Sequence, residues 1–536
     1  MRVQLIHPPA FLNPTALTAL RPSLPLGIAY VAAAAREAGH EVSVIDAVGE
    51  APDLIVREGR VARLGLSIAD IVGRIAPETQ VVGVGAMFTY QWRVVSELIH
   101  AIKRARPDVL VVGGGEHFTG LPEESLVHSP VDVVAQGEGE EIFVDLLRRY
   151  ASWLQERGGE PGDTSAGVSG WAGDMPGVSF RKAGATVGIN GGGYAAAAAA
   201  IQHNPRRERV RDVDKIPRPA WDLFDVKGYD DRRLINGVRL GMTMPILATR
   251  GCPYRCAYCS SPNMWTTKWV ARDPKLVADE IQEYMEAYGA RNFPFQDLTA
   301  ILKRQWVIDF CNELIARGLD ITWQMPTGTR CEVVDDEVAA LLLRSGGRSL
   351  NFAPESGSEE VRRKVSKQMS EKSLFGAVEA AVKHGLNTSV FFVLGFPGDR
   401  VADFKETVRW ARRLARLGVE DLAVGFYFPI PGTRFYRELQ GRGKVELSNE
   451  LILAPIFVHD RWLTEDRNYS EGLSARTLTW WRYRIVWAFY SRAILANPRR
   501  IFRVIGNFFR GREESKFDSF LQILKERFIT RRAARV

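Results

Sequence analysis

The stretch TRGCPYRCAYCSSP, residues 249–262, carries three of the five cysteines in a chain of 536 residues. Cys252, Cys256 and Cys259 have the spacing C-x3-C-x2-C. A disulfide would leave one of these thiols over and would close a strained local loop. A zinc site would need a fourth ligand, and the neighbouring sequence offers no further cysteine or histidine. Three thiolates suit a four-iron, four-sulfur (4Fe-4S) cluster whose fourth iron is open, so the spacing predicts such a cluster.

The sequence around the cysteines alternates between strand and helix patterns. MPILATRG, residues 244–251, is typical of a buried strand, and PKLVADEIQEYMEAYG, residues 274–289, has the apolar spacing of a helix. A ligand loop between a strand and a helix is how an α/β barrel presents its chemistry. Five further strand patterns, each separated from the next by a helical pattern, lie within residues 290–301, 320–330, 349–370, 387–399 and 422–436. Together they predict six β/α units, which form an incomplete barrel.

This segment resembles the radical S-adenosylmethionine (SAM) superfamily, whose signature is C-x3-C-x-aromatic-C. Tyr258 stands at the aromatic position, and the resemblance covers residues 236–440. It implies that the three cysteines hold the cluster and that the open iron chelates the amino and carboxylate groups of SAM. It also implies that one electron from the cluster cleaves SAM to a 5'-deoxyadenosyl radical. A reducing electron donor such as flavodoxin or ferredoxin would supply that electron.

The resemblance also implies which residues contact SAM on the later strands. Glu355 and Ser356 fall where the family contacts the SAM ribose. Lys367 falls where related members place a basic residue for the SAM carboxylate. Gly395 falls where a glycine lets the adenine approach the backbone. With Tyr258, these residues are expected to line the SAM site.

The earlier strands depart further from the family pattern. Gln296 and Asp297 end the strand that meets the SAM amino group in the family, although this chain lacks the usual Gly-Gly-Glu there. Arg330 ends the third strand and is expected to bind SAM or the substrate. The two remaining cysteines, Cys311 and Cys331, are expected to be buried structural residues.

The first 150 residues show a different α/β pattern. Strand patterns alternate with helices such as PLGIAYVAAAAREAG, and several strands end in glycine-rich turns. This alternation predicts a doubly wound parallel sheet, whose ligands lie at the carboxyl ends of the strands. No G-x-G-x-x-G follows the first strand, so a dinucleotide is not expected.

A sheet of this kind before a radical SAM barrel resembles the cobalamin-binding domain of the cobalamin-dependent radical SAM enzymes. SLPLGIAYVAAAAREAGHEV, GGGEHFTGLPEE and GEGE are similar to recurrent pieces of that group. The chain lacks D-x-H-x-x-G, so neither His7 nor His117 is expected to be a cobalt ligand, and His117 is expected to line the site. The residues that the resemblance places against cobalamin are Met87, Thr89, Gly114, Gly115, Glu116, His117, Gly137 and Glu138.

Four regions follow from these patterns: a cobalamin-binding domain (1–150), a linker (151–235), the radical SAM barrel (236–450) and a helical extension (451–536). Within the linker, GVSFRKAGATVGING predicts a β-hairpin. The extension interleaves arginines with aromatic and aliphatic residues at helical spacing, which predicts amphipathic helices. They either cap the barrel or lie on an anionic membrane surface, and membrane contact would favour an apolar substrate such as a lipid, polyprenoid or tetrapyrrole ester.

Composition narrows the function classes. The formal charge is +8, from 71 basic and 63 acidic residues, which is too small to predict nucleic-acid binding. Five cysteines do not form a disulfide framework and fit a reducing cytoplasm, the expected location. The start MRVQLIHPPA resembles a strand and not a signal peptide, and no apolar run is long enough to span a bilayer.

The two resemblances together imply an enzyme that uses a 4Fe-4S cluster, SAM and cobalamin. The expected reaction is hydrogen abstraction from an unactivated carbon of a small molecule, followed by methyl transfer from cobalamin. A cobalamin-dependent cyclase or rearrangement enzyme would use the same residues without delivering a methyl group. A non-catalytic iron–sulfur or cobalamin sensor is the third alternative, and the complete set of SAM-contacting strand ends disfavours it.

Overall fold

The computed structural model describes residues 1–14, 22–158, 164–184, 193–458, 460–515, 517–522, 524 and 525. Its first part is built on one seven-stranded sheet. In spatial order the strands are Ile201–His203, Val178–Arg181, Val133–Ala135, Leu110–Gly114, Val81–Gly85, Arg2–His7 and Glu41–Asp46. The last five of these are parallel. The main helices around the sheet are Leu26–Glu37, Trp92–Ala105, Glu116–Gly120, Pro122–His128 and Gly139–Glu156.

The sequence of these strands explains their place in the sheet. Val81, Val82 and Val84 are all buried, as expected for a parallel strand that is covered on both faces. The strand order reverses beside Arg2–His7, which pairs with Glu41–Asp46 on one side and Val81–Gly85 on the other. This confirms the predicted doubly wound sheet and marks the strand ends where its ligand should bind.

The predicted hairpin in residues 177–191 is wrong. Val178–Arg181 pairs antiparallel with Val133–Ala135 and with Ile201–His203, so it extends the first sheet. Residues 185–191 of the predicted hairpin lie outside the described residues. The physical reason is burial: the Arg181 guanidinium donates to backbone carbonyls that include Leu126 (2.9 Å), which fixes this strand inside the domain. Local turn residues could not reveal such a partner.

Several short elements surround this domain. A small antiparallel sheet joins Ala10–Leu12, Ile55–Glu58 and Val61–Leu64. The short helices of the first domain and of the connector are Ala47–Glu50, Ile68–Gly73, Thr164–Ala172, Gly193–Ala199 and Val226–Asp231.

The second part is a five-stranded parallel sheet with its strands in chain order. The strands are Asn292–Pro294, Thr322–Thr329, Gly347–Glu355, Asn387–Leu394 and Asp421–Phe426. The helices that separate and cover them are Pro274–Tyr288, Arg304–Ala316, Asp336–Arg344, Glu359–Lys364, Glu371–Lys383 and Val401–Leu417. Side chains cap several helix starts, as Asp335 does by accepting from Val338 N. The arrangement confirms the incomplete barrel.

The predicted first barrel strand is shorter than expected. Residues 243 and 246 make isolated parallel bridges to Asn292 and Phe295. Met244 and Ile246 donate their N–H groups to the neighbouring strand. Pro245, which has no N–H, therefore costs no hydrogen bond on that side, as expected at a sheet edge. The following Thr249–Arg250 pairs antiparallel with Val270–Ala271.

The short helices Arg434–Gly441 and Asn449–Leu453 follow the last barrel strand. The long helix Ala475–Ala496 then packs against Val401–Leu417 and shares the core of the barrel. Its buried residues include Leu478, Trp481, Ile485 and Phe489. The helix Arg499–Arg510 follows. No described helix combines the length and the apolar composition that crossing a bilayer requires.

Candidate functional site

The three cysteines lie together on the loop between Thr249–Arg250 and the helix Ser261–Trp265. All three are partly exposed free thiols. Burial raises the pKa of the Cys259 thiol to about 12, and the other two sulfurs add to that rise. Binding to iron would deprotonate such thiols. Within the described ranges, no three His, Cys, Asp or Glu side chains, the three cysteines included, converge around one point.

Asp297 anchors the start of the cluster loop. Its carboxylate accepts hydrogen bonds from Ala248 N (3.2 Å) and from the Thr249 hydroxyl (2.6 Å). Gln296 lies half-buried at the same strand end, where its side-chain oxygen accepts from Asn236 Nδ2 (3.1 Å). Both Asp297 oxygens and the Gln296 side-chain oxygen therefore have hydrogen-bond partners within the protein. Their contact with SAM stays a prediction.

Tyr258, Glu355 and Lys367 meet beside the cluster loop. The Tyr258 hydroxyl donates to Glu355 Oε1 (2.7 Å), and Lys367 Nζ lies 3.1 Å from the same oxygen. Although burial disfavours the ammonium, the Glu355 carboxylate holds the pKa of Lys367 above its ordinary value. Glu355 ends its strand with φ +66°, a strained conformation for a non-glycine residue that is typical of functional sites. Sequence similarity thus named three residues that the fold brings together.

Ser356 and Gly395 border this group. Ser356 is buried, and its hydroxyl oxygen accepts from Ser358 N (3.2 Å). Gly395 has φ +89°, and its N–H donates to Asp399 Oδ2 (3.0 Å). A Cβ at Gly395 would lie 3.1 Å from Leu478 of the long C-terminal helix. The contacts of Ser356 and Gly395 with SAM stay predictions.

Arg330 contacts the cluster loop directly. Its guanidinium lies over the Tyr254 ring, 3.9 Å from the ring centroid, and its Nε donates to Glu332 Oε2 (3.0 Å). Cys331, next to it, is buried, as is Cys311. Arg330 therefore supports the loop between the first two cluster cysteines, and its contact with SAM or substrate stays a prediction.

Asp399 predicts a pH dependence of folding stability. Burial raises the pKa of this carboxyl to about 7. The unfolded chain releases the proton near the ordinary pKa while the folded chain keeps it, so stability should fall as the pH rises from about 4 to about 7. Asp297, whose pKa burial raises to about 6, contributes with the same sign. Urea unfolding measured from pH 5 to pH 8 should show a smaller decline of the free energy of unfolding for Asp399→Asn than for wild type. Asp320→Asn, at an exposed position, is the control and should show the same decline as wild type. An equal slope in Asp399→Asn and wild type would contradict the prediction.

The predicted cobalamin residues lie at the carboxyl ends of the first sheet. Met87 is 50% exposed, and Thr89 beside it is half-buried. Gly115 and Gly137 have φ values of +106° and +99°, which favour glycine. A Cβ added at Gly114 would meet nothing within 4 Å. The strand ends therefore present an open, glycine-lined face that a large ligand could cover.

Glu116 and His117 carry polar atoms that have no protein partner. His117 is 1% exposed and stacks on Trp92 with a centroid distance of 4.5 Å. Neither ring nitrogen, nor Glu116 Oε1, finds a hydrogen-bond partner among the residues that the structure describes. Burial lowers the pKa of His117 to about 3, so the ring is neutral. Buried polar groups are rarely left unsatisfied, so these atoms fit a polar ligand at this edge of the sheet.

Gly115 and Gly114 offer a matched pair of substitutions. A Cβ at Gly115 would come 2.6 Å from the Ala86 carbonyl oxygen, whereas Gly114 faces open space. Gly115→Ala should lower the free energy of unfolding by about 1–3 kcal/mol, because of this clash and the unfavourable φ. Gly114→Ala should change it by about 0.5 kcal/mol or less. Urea denaturation of both variants checks this, and equal losses would contradict it.

Comparison with known proteins agrees with this geometry. A family model described as B12 binding domain matches residues 14–147, and one described as Radical SAM superfamily matches residues 246–411. Together they match more than half of the chain. The chain belongs to the cobalamin-dependent radical SAM family. This confirms the predicted cofactors of the enzyme, which are cobalamin, a 4Fe-4S cluster and SAM.

Similar proteins include two curated relatives and a solved structure. An uncharacterized methyltransferase of Pyrococcus horikoshii is 27% identical over 80% of this chain and 80% of its own length. An anaerobic magnesium-protoporphyrin IX monomethyl ester cyclase of Cereibacter sphaeroides is 27% identical over 85% of this chain and 66% of its own. The methyltransferase TsrM of Kitasatospora setae, solved with cobalamin and a [4Fe-4S] cluster, shares the fold with a TM-score of 0.58 at 18% identity, covering 82% and 78% of the two chains.

In this radical SAM enzyme, Glu138 takes part in a buried ion cluster and does not face the open strand ends. Glu138 Oε2 accepts from Arg209 Nε (2.6 Å), and Glu138 Oε1 lies 3.2 Å from Arg250 Nη1. Arg250 Nη2 also donates to Glu140 (2.6 Å). All four side chains are less than 10% exposed. Although burial opposes charge on both, this pairing raises the pKa of Arg250 and lowers that of Glu140. A direct contact of Glu138 with cobalamin stays a prediction.

The cluster loop of the enzyme is held by the first domain on both sides. Before the cysteines, Arg250 reaches the two carboxylates described above. After them, the helix Ser261–Trp265 packs on the helix Glu116–Gly120, and the Thr119 hydroxyl lies 3.5 Å from Met264 Sδ. Sequence reasoning missed Arg209, Glu140 and Arg250. The only available signal was the position of Arg250, two residues before Cys252.

Proposed function

We propose that this enzyme methylates an unactivated carbon of an apolar small molecule. The observation that carries the proposal is the packing of the helix Ser261–Trp265, which directly follows the cluster loop, on the helix Glu116–Gly120 at the glycine-rich strand ends. This packing supports the expectation that SAM and cobalamin bind on opposite sides of one shared boundary. When bound, the cofactors would supply a 5'-deoxyadenosyl radical for hydrogen abstraction and a methyl group for transfer.

The residues beside the cluster loop would position SAM. Lys367 offers a positive charge for the SAM carboxylate, and Glu355 offers acceptor oxygens for the ribose hydroxyls. Tyr258, which donates to Glu355, fixes the direction of that carboxylate. The Tyr258 ring also packs against Phe396, with a centroid distance of 5.4 Å, so this side of the site is apolar and can exclude water.

The first domain would position cobalamin without a histidine on cobalt. His7 Nδ1 lies 2.7 Å from Asp46 Oδ1. No histidine is assigned to cobalt, because the chain lacks the D-x-H-x-x-G motif. The neutral His117 ring and the Glu116 carboxyl could satisfy their unpartnered atoms with amide groups of the cofactor. Held by these residues, cobalamin would supply the methyl group for transfer.

A cyclisation or rearrangement is the second candidate. The similarity to the cyclase of Cereibacter sphaeroides favours it, at the same 27% identity as the uncharacterized methyltransferase. The two reactions need the same cofactor-binding residues and differ in the fate of the substrate radical. No observation favours a sensor.

The surroundings of the enzyme complete the proposal. A cytoplasmic reductant such as flavodoxin or ferredoxin would supply the electron. Peripheral contact of residues 451–536 with the inner face of the membrane would bring an apolar substrate, such as a lipid, polyprenoid or tetrapyrrole, to the barrel. Nucleic acid is not an expected partner.

The test is anaerobic reconstitution with iron, sulfide, cobalamin and a reductant, followed by incubation with a lipid extract and SAM that carries a CD3 group. We expect 5'-deoxyadenosine and a product that has gained the deuterated methyl group. Cys256→Ala is the matched control and should give neither. Formation of 5'-deoxyadenosine with a product that has lost hydrogen, or gained oxygen, and carries no label would favour cyclisation and overturn methyl transfer.

A further inference from the structure

The helix Arg499–Arg510 has its apolar side turned outward. The exposed fractions are 75% for Phe502 and for Phe509, 49% for Ile505 and 40% for Ile501. At 100° per residue, these four side chains fall on one face of the helix. We call Ile501, Phe502, Ile505 and Phe509 the outer face.

Polar side chains fix the opposite side of this helix to the protein. Arg503 Nη2 lies 2.6 Å from Glu420 Oε2, and Arg500 Nη1 donates to the Val419 carbonyl (3.0 Å). Asn507, the most buried residue of the helix, donates to Asp518 Oδ2 (3.1 Å). Turning the outer face inward would break these contacts and bury the two arginines. The orientation of the helix is therefore set by its own ion pairs.

An exposed row of this kind needs a partner. Single exposed hydrophobic residues are normal, but contiguous apolar surface rimmed by polar groups marks an interaction site. The preceding helix continues the pattern, because Trp480, Trp487 and Leu495 are 54%, 70% and 71% exposed while its other side packs on the barrel. Aromatic residues at a bilayer surface lie at the headgroup level.

The positive charge around the outer face favours an anionic partner. Arg499, Arg510 and Arg512 are exposed beside it. Residues 476–536 contain 15 Lys and Arg against 4 Asp and Glu, an excess of +11, whereas the whole chain has +8. The rest of the chain is therefore slightly acidic. A second copy of this chain docked symmetrically here would set two basic segments against each other, which disfavours a dimer.

We propose that the outer face inserts into the headgroup boundary of an anionic phospholipid bilayer, with the exposed arginines on the lipid phosphates. Membrane contact would give an apolar substrate a route to the barrel, so the inference deepens the proposed function. Only this part of the inference rests on the proposed function. It also divides the C-terminal region: Ala475–Ala496 caps the barrel, and Arg499–Arg510 carries the membrane contact.

The test is cosedimentation of the full-length, reconstituted enzyme with vesicles. We expect binding to phosphatidylglycerol–phosphatidylcholine vesicles at low salt, weaker binding at high salt, and little binding to phosphatidylcholine alone. Phe502→Glu with Phe509→Glu should weaken binding about tenfold or more. The control is Ile55→Glu with Leu276→Glu, which adds the same charge at two other exposed hydrophobic positions (59% and 37% exposed). This variant should bind vesicles like wild type.

Three outcomes would overturn the proposal. The first is that equal amounts of wild type stay in the supernatant with and without anionic vesicles. The second is that the outer-face double variant and the control double variant bind vesicles equally. The third is that light scattering without lipid detects a dimer of wild type, which only the outer-face double variant dissociates. Circular dichroism and SAM cleavage without vesicles should be the same for all variants, which shows that the fold and the site are intact. Vesicle binding without product methylation would overturn the proposed function and leave the membrane inference standing.

Discussion

Cys256→Ala is expected to yield colourless protein that does not cleave SAM. Anaerobically purified wild type should be brown and carry about four irons per chain. Cys256 contributes one of three thiolates, and a cluster with two protein ligands should be lost during purification. Cys252→Ala and Cys259→Ala should behave alike. Iron and sulfide content, the visible spectrum and the formation of 5'-deoxyadenosine measure the effect.

The buried Cys311 provides the control for this experiment. Cys311→Ala removes a thiol from the barrel core and should leave the iron content and SAM cleavage unchanged. If any of the three loop variants still cleaves SAM, the ligand assignment is wrong.

Arg250→Met is expected to weaken the contact between the two domains. The substitution leaves Glu138 and Glu140 buried without this partner, and breaking a buried ion pair costs about 3–5 kcal/mol. Denaturant unfolding should show that loss. Cobalamin binding, followed by its absorption spectrum, should also weaken, because Glu138 and Glu140 directly follow Gly137 of the glycine-rich turn.

Arg36 provides a matched exposed arginine, because it pairs with Asp222 at the surface and its side chain is 38% exposed. Arg36→Met should cost about 1 kcal/mol or less. Adding Glu140→Gln to Arg250→Met should recover part of the lost stability, since it removes an unpaired buried charge. Equal losses in Arg250→Met and Arg36→Met would show that the ion cluster does not stabilise the domain contact.

Local patterns were sufficient for the cluster loop and for both parallel sheets. The cysteine spacing lies within eight residues, and the strand and helix periods are read over short windows. The Tyr258–Glu355–Lys367 group is predicted only through similarity to a family, because Tyr258 comes from the first β/α unit and the other two residues from the fourth. Its hydrogen bonds depend on the closure of the barrel, which no local window contains.

Long-range contacts account for the structural features that the sequence patterns did not predict. Arg250 and Glu138 are 112 residues apart, so their pairing depends on how the two domains pack. The predicted hairpin was wrong because Val178–Arg181 had a better partner in Val133–Ala135. The pattern of Arg499–Arg510 predicted an amphipathic helix, but only the contacts of Arg503 and Asn507 determine which side faces outward.

The first domain contacts the segments on both sides of the cluster loop. This limits how freely either domain can be replaced by the corresponding domain of another protein. A chimera that joins this barrel to a foreign cobalamin domain would set Arg250 against a surface that lacks Glu138 and Glu140. Such a graft should succeed only when the donor domain carries both carboxylates and a residue like Thr119 to receive Met264. Exchanging one domain of this chain alone would therefore separate residues that act together although they lie in different domains.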